Sequence, residues 1–452
     1  MSTLSNSTDT KWQEYQKLGF RFLFIYFLLQ VIPVDWKFYA HFFQIDWLHL
    51  HFYDIFYLSR YTPQPTQAYV PGHWGLATLA DWVVIIAVAL LGTIIWSLRD
   101  KDREDYNILY YWLRVILRYR LAIAIIAYGF IKYFPVQSPA PSLSNLNTAY
   151  GDFNRWKLFS LTLGITPGYQ AFLGGVEIVA GLLLLFRRTT LFGVIIVLLF
   201  TGNVFFANLA YDGGEAIYAL LLLAIASFLT LFDTQRIYNL VALRKPTQPN
   251  QLKPYFPKLW QHTTRLALKT VFVFFFVILY GWKTYAAYRG YQYPQAKGLA
   301  NAAGLYDVKQ FSLNKQELPY SATDASRWQD VVFEQWNTIS IRTPKALQID
   351  SINTQEFSAD DKGRDYELQG AAGRNYYSYT VDEAHLQLLL QNRNPQYAND
   401  KLVLNYQRPD DATILLSGVD SQKDSIHVTL SRLPKKYLLE AASGGRGKAI
   451  KL

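Results

Sequence analysis

Six side chains invite a chemical reading. Lys132, Glu177 and Asn203 interrupt strongly apolar runs, and Tyr128 stands one helical turn before Lys132. Asn208 and Asp212 close the run that holds Asn203, together with Tyr211 and Glu215. An ionisable group inside a bilayer costs about 2.5–3.5 kcal/mol on insertion scales, so each one needs an explanation. An amine, two carboxylates, a phenol and two amides can exchange protons with a polar headgroup or hydrogen-bond to it. Each residue also has a structural explanation. Lys132 can snorkel, Glu177 can pair with Lys132 or Arg155, the asparagines can join helices, and Asp212 can be a turn residue beside Gly213-Gly214.

These residues depend on apolar elements to place them. About 20 mainly apolar residues cross a bilayer as a helix. Seven segments qualify as candidate spans: 19–34, 77–98, 121–134, 169–186, 190–209, 216–232 and 266–284. Three are short, so tilt or flanking aromatics must supply length. Lys and Arg mark the cytoplasmic side. With the N-terminus inside, 18 cations, from Lys11 to Lys269 and including Lys253, fall on inner segments. Only Lys37, Arg60, Lys132, Arg155 and Lys157 fall on outer segments before the last span. That orientation puts the candidate polar residues in the outer leaflet and the C-terminal third outside the membrane, in the periplasm of a bacterium.

The charge follows the same division. Residues 1–299 carry 26 Lys and Arg against 15 Asp and Glu, whereas residues 300–452 carry 18 against 19. The net +10 therefore belongs to the apolar part. No basic tail or recognition helix points to nucleic acid. The chain has no cysteine, which excludes disulfides, thiolate chemistry and Cys-based metal centres. Walker, GxSxG and HExxH motifs do not occur.

The long loop 35–73 contains an aromatic core, 41–58, suited to a helix at the membrane surface. It also holds four of the seven histidines, His41, His49, His51 and His73, near Asp46 and Asp54. Imidazole and carboxylate can ligate metal, but no His-x3-His pair occurs and interfacial packing is the favoured reading. The proline-rich stretch 135–141 is not helical. Gly174-Gly175 and Ala180-Gly181 permit close helix packing.

Beyond Tyr306, alternating runs recur at 347–350, 366–369, 376–381, 386–390, 402–407, 413–417 and 426–431, separated by turn residues. This spacing predicts an antiparallel barrel or sandwich of about eight strands, either holding one ligand or solid. The Gly-rich run after Glu440 reads as a flexible end.

Several stretches resemble the DoxX-like family of bacterial membrane proteins. They are Gly129-Phe130-Ile131-Lys132-Tyr133-Phe134-Pro135, Tyr150-Gly151-Asp152-Phe153, Gly174-Gly175-Val176-Glu177, Arg187-Arg188-Thr189 and the run from Asn203 through Asn208 to Tyr211-Asp212. Gly304-Leu305-Tyr306-Asp307-Val308 and Leu404-Asn405-Tyr406-Gln407-Arg408-Pro409 are similar to a longer variant with a soluble C-terminal extension. The chain departs from the pattern at Gly213-Gly214-Glu215, where the resemblance implies a basic residue. The resemblance implies a membrane subunit, in some members linked to quinone-dependent oxidation of sulfur compounds or to amine oxidation.

The expected architecture is an α-helical transmembrane bundle over 1–299 followed by a periplasmic β-rich domain over 300–452. The expected ligand-binding residues are Tyr128, Lys132, Glu177, Asn203, Asn208 and Asp212. The expected role is a redox-associated inner-membrane subunit that binds a quinone or lipid-like molecule in the outer leaflet. The alternative is a scaffold whose β-domain binds a protein partner.

Overall fold

The computed structural model describes residues 12–70, 75–248, 258–288, 290–349 and 356–442. Lys11, His73, Lys253 and residues 443–452 lie outside the described residues, as does the last residue of the predicted strand 347–350. The chain forms two compact units, Met1–Phe134 with Ala171–Ala287, and Pro135–Gln170 with Tyr288–Leu452.

The first unit is helical. Its elements are α1 (Glu14–Val31), α2 (Trp36–Gln44), α3 (Phe52–Ser59), α4 (Leu79–Arg99) and α5 (Asn107–Tyr133). The helices α6 (Leu143–Leu146) and α7 (Arg155–Gly164) belong to the second unit, and α8 (Pro167–Leu184) returns the chain to the first. There follow α9 (Thr190–Ala210), α10 (Ala216–Leu231), α11 (Thr234–Val241), α12 (Leu259–Val273) and α13 (Tyr280–Ala287). A π-helical run, Phe274–Leu279, joins α12 to α13.

All seven predicted spans are helical at their centres, yet fewer helices meet the demands of a bilayer. Among the described residues five helical stretches are long and apolar enough to cross it: Glu14–Gln44, Leu79–Arg99, Pro167–Leu184, Thr190–Ala210 and Leu259–Ala287. The predicted span 121–134 is the second half of the 27-residue α5, whose Arg114, Arg118, Arg120 and Lys132 make it too polar. The predicted span 216–232 is the 16-residue α10. It turns through 71° into α11, and the bent pair would make a sixth crossing. The aromatic loop core is also two helices rather than one, because α2 and α3 are separated by Ile45–His51.

Glycine sets the closest helix contact. A Cβ on Gly174 would lie 2.3 Å from the Tyr133 backbone nitrogen and 2.4 Å from the Gly129 carbonyl oxygen. Only hydrogen fits between α5 and α8 there, as the small residues imply. Lys132 and Glu177 each lie three residues beyond a glycine of this contact, so the contact brings them face to face.

Among the described residues the second unit is built on nine antiparallel strands: β1 (Gly304–Leu313), β2 (Gln316–Glu317), β3 (Asp330–Phe333), β4 (Thr338–Arg342), β5 (Asn375–Asp382), β6 (Gln387–Asn392), β7 (Lys401–Gln407), β8 (Thr413–Val419) and β9 (Ser425–Arg432). β1 pairs with both β3 and β9, which closes eight strands into a barrel, while β2 only extends one end of β1. A bulge between Val308 and Gln310 lets β1 serve both partners. Strand β7 shows the sequence logic. Leu402, Leu404 and Tyr406 are buried while Lys401, Val403, Asn405 and Gln407 face out.

The inward side chains, among them Tyr306, Phe311, Phe333, Tyr379, Leu404 and Leu430, form one continuous apolar cluster. The barrel is therefore the solid version of the two expected. Two predicted runs are not strands. Residues 347–349 have no regular structure, and 366–369 form a turn whose Leu368 packs with Ala371, Tyr376 and Phe153.

Candidate functional site

The sharpest polar feature of the helical unit is a buried ion pair. Lys132 Nζ lies 2.5 Å from Glu177 Oε1, and both residues are buried. Burying two charges is costly unless every lone pair and proton finds a partner. Here the partnering is incomplete, because Glu177 Oε2 is buried and accepts no hydrogen bond.

A second pair lies one turn away. Tyr128 Oη donates to Glu215 Oε1 at 2.9 Å, and the Tyr128 ring centre is 5.9 Å from Lys132 Nζ. Glu215 also faces Arg60 Nη1 at 3.4 Å. Its backbone N–H donates to Asn208 Oδ1 at 3.1 Å, which fixes the start of α10 against the end of α9. Arg60 follows α3 and lies over the rings of Phe56 and Tyr57, at 5.2 and 5.1 Å. Tyr218 flanks Tyr128 from α10, with the ring centres 5.8 Å apart.

Arg60 also borders a cavity of about 360 Å³, whose other walls include Asp35, Lys37, His41, Tyr57 and Tyr61. Lys37 is already committed there. Its amine donates to the carbonyls of Gln64 and Gln67 and lies 3.7 Å from Asp35. Arg60 thus connects an open space lined by aromatic rings to an exchangeable series of Glu215, Tyr128, Lys132 and Glu177. Such a series can hold a polar head and pass a proton to or from it.

Four of the six expected residues come together: Tyr128, Lys132 and Glu177 directly, and Asn208 through the Glu215 backbone. The other two do not join. Asn203 is exposed on α9, and Asp212 is exposed in the turn after it with φ of 55°. A short polar side chain tolerates that left-handed conformation, which favours the turn role for Asp212. Sequence reasoning passed over Arg60 and treated Glu215 only as a cap. The available signal was Glu215 at the threshold of an apolar helix, and Arg60 inside a loop otherwise dominated by aromatics.

The histidines do not converge. His49 Nδ1 lies 2.8 Å from Asp46 and His51 Nδ1 3.6 Å from Asp54, both near the surface. Among the described residues no group of three or more His, Asp or Glu side chains is placed to hold a metal ion.

The barrel unit buries charge as well. Glu367 Oε2 accepts from Arg393 at 2.8 Å and its Oε1 accepts from Trp336 Nε1 at 3.1 Å. Glu334 accepts from the backbone and hydroxyl of Ser144, both at 2.6 Å. Lys157, wholly buried on α7, donates to the Tyr366 carbonyl and sits 3.6 Å above the Tyr366 ring. Burial, opposed by the carboxylates of Glu367 and Asp365, draws the Lys157 amine down to about 7. Burial and the Glu367 charge push Glu334 up to about 7, and burial pushes Asp365 up to about 6.

No family model, curated protein or solved structure matches this chain.

Proposed function

We propose that this chain is a DoxX-like, multi-pass protein of a bacterial inner membrane that binds a quinone or lipid-like molecule. Its head would lie against the Arg60–Glu215–Tyr128 cluster, with Lys132 and Glu177 as proton partners. The supporting observation is Arg60, which both borders the aromatic-lined cavity and pairs with Glu215. The unfilled oxygen of Glu177 adds to it, since a buried acceptor without a donor suits a site better than a scaffold. The cation bias orients the N-terminus to the cytoplasm and the barrel to the periplasm. In this reading the protein is a redox-associated subunit.

The test is mass spectrometry of lipid extracted from the purified full chain, which should contain stoichiometric quinone. The double variant Lys132→Met with Glu177→Leu should lose it while changing the unfolding midpoint little, because a buried ion pair can be replaced by apolar groups at small cost. Absence of quinone from the unaltered protein would overturn the reading. Single cysteines replacing Arg188 and Asp360 should label from opposite sides of the membrane.

A second reading draws on the solid barrel. A packed interior leaves only the surface for recognition, which suits a scaffold that binds a protein partner. Recovery of a stable partner, with Lys132→Ala and Glu177→Ala both harmless, would favour it.

A further inference from the structure

The helix α10 starts just after Glu215 and ends beside Phe232, and cations gather around that far end. Arg114 Cζ sits 3.2 Å from the Phe232 ring centre and 5.8 Å from that of Tyr110. Arg118, one turn further along α5, lies over Tyr119 at 5.4 Å. Lys269, from α12, places its amine 3.6 Å over Phe186, two residues past the end of α8. Arg118 is within electrostatic reach of Lys269 and of Arg187, and Lys269 is within reach of Arg265. Three chain segments far apart in sequence therefore deliver positive charge to one place.

Aromatic faces, rather than carboxylates, surround most of this charge. Asp233 is within electrostatic reach of Arg114, but it also pairs with Arg236 at 3.8 Å. The Nε atoms of both Arg114 and Arg118 are buried and make no hydrogen bond. Clustered like charges repel unless an anion is shared between them. Guanidinium groups suit phosphate, because their planar fork matches two of its oxygens. The positions also fit a membrane lipid. Arg114 and Arg118 precede the apolar second half of α5, and Lys269 lies in a helical stretch long and apolar enough to cross a bilayer.

We infer that Arg114, Arg118 and Lys269 form a site for the phosphate headgroup of an anionic phospholipid, best filled by a lipid that carries two phosphates. Basic clusters between helices at membrane depth recognise such headgroups.

The test uses the full chain in nanodiscs of phosphatidylcholine alone or with added cardiolipin, and counts retained cardiolipin by native mass spectrometry after transfer to detergent. One cardiolipin per chain should remain bound to the unaltered protein. Arg118→Gln and Lys269→Gln should each weaken retention about fivefold, the equivalent of about 1 kcal/mol per cation. Arg244→Gln, an exposed cation outside the cluster, should leave it unchanged. Lys269 is only half-buried, so Lys269→Gln keeps the test valid if the Arg118 variant folds poorly. Equal retention in the unaltered protein and Lys269→Gln would overturn the site. Displacement of the lipid by an excess of inorganic phosphate would overturn the lipid assignment in favour of free phosphate. The outcome does not depend on the quinone reading, which is scored by a different extract and different residues.

Discussion

Both units of this protein bury carboxylates, and Glu177 of the helical unit is treated differently from Glu334 and Glu367 of the barrel unit. In the barrel unit Glu367 fills both oxygens, one with Arg393 and one with Trp336. Glu334 does the same with Ser144 and the Leu143 backbone. In the helical unit Asp81 is likewise filled by Thr66, Gln67 and Thr78, but Glu177 fills one oxygen with Lys132 and leaves the other without a donor. A saturated carboxylate specifies packing, since any movement leaves a buried group unpaired. An unsaturated one keeps capacity for something that is not part of the chain. The difference, more than the presence of charge, marks the helical cluster as the candidate site and the barrel network as architecture.

The largest effect is expected where saturation is complete. Arg393→Met should lower the stability of the barrel unit by about 3–5 kcal/mol, because Glu367 is left buried and unpaired. Denaturant unfolding followed by circular dichroism measures it. A loss below about 1 kcal/mol would mean that the pair is not structural and would erase the contrast.

A smaller loss is expected at the helix contact that holds the unsaturated pair. Gly174→Ala should cost about 1–3 kcal/mol, because the added carbon meets backbone atoms that cannot yield. Gly175→Ala meets only the edge of the Tyr133 ring, at 3.8 Å, and should be almost silent. Similar melting temperatures for the two variants would refute the close contact.

A pH dependence confined to the barrel unit is also expected. Glu334 and Asp365 are raised to about 7 and about 6 from 4.5 and 3.8, so the folded state holds more protons than the unfolded one through that range. Stability should fall as pH rises from about 4 to about 7. Lys157 is lowered to about 7 from 10.5, so the unfolded state holds the extra proton above neutrality. Stability should then rise towards pH 10, by at most about 1.4 kcal/mol per pH unit. A minimum near neutral pH is expected in the unfolding midpoint, and Lys157→Met should abolish the rising limb. A midpoint that changes in one direction throughout would contradict these assignments.

The sequence made part of this legible. Strands β6 to β9 follow simple alternation, one face in and one out, and were readable as strands. Strands β3 and β4 were not, because they are buried on nearly every residue and carry no period of two. The turn at 366–369 imitates a strand because Tyr366 and Leu368 alternate, but Tyr366 bonds to Ser160 and Leu368 packs on Ala371, Tyr376 and Phe153 without pairing in the sheet. Lys132 and Glu177 were legible because charge is conspicuous in an apolar run. Arg60 and Glu215 were not, since each lies where charge is ordinary, and they are 155 positions apart.

The barrel unit is discontinuous in the chain, and this has a consequence in time. A ribosome releases Ser144 and Lys157 long before their partners Glu334 and Tyr366, which follow 190 and 209 residues later. Until then the stretch 135–170, which follows α5 and runs into the start of α8 in the chain, lacks those partners. Its burial therefore awaits the C-terminal third of the chain, and a chain stalled or truncated before Glu334 would display the unmatched segment. A fragment beginning at residue 300 would carry every strand yet lack the groups that satisfy Glu334. It should be made with residues 135–170 supplied, in cis or as a separate peptide.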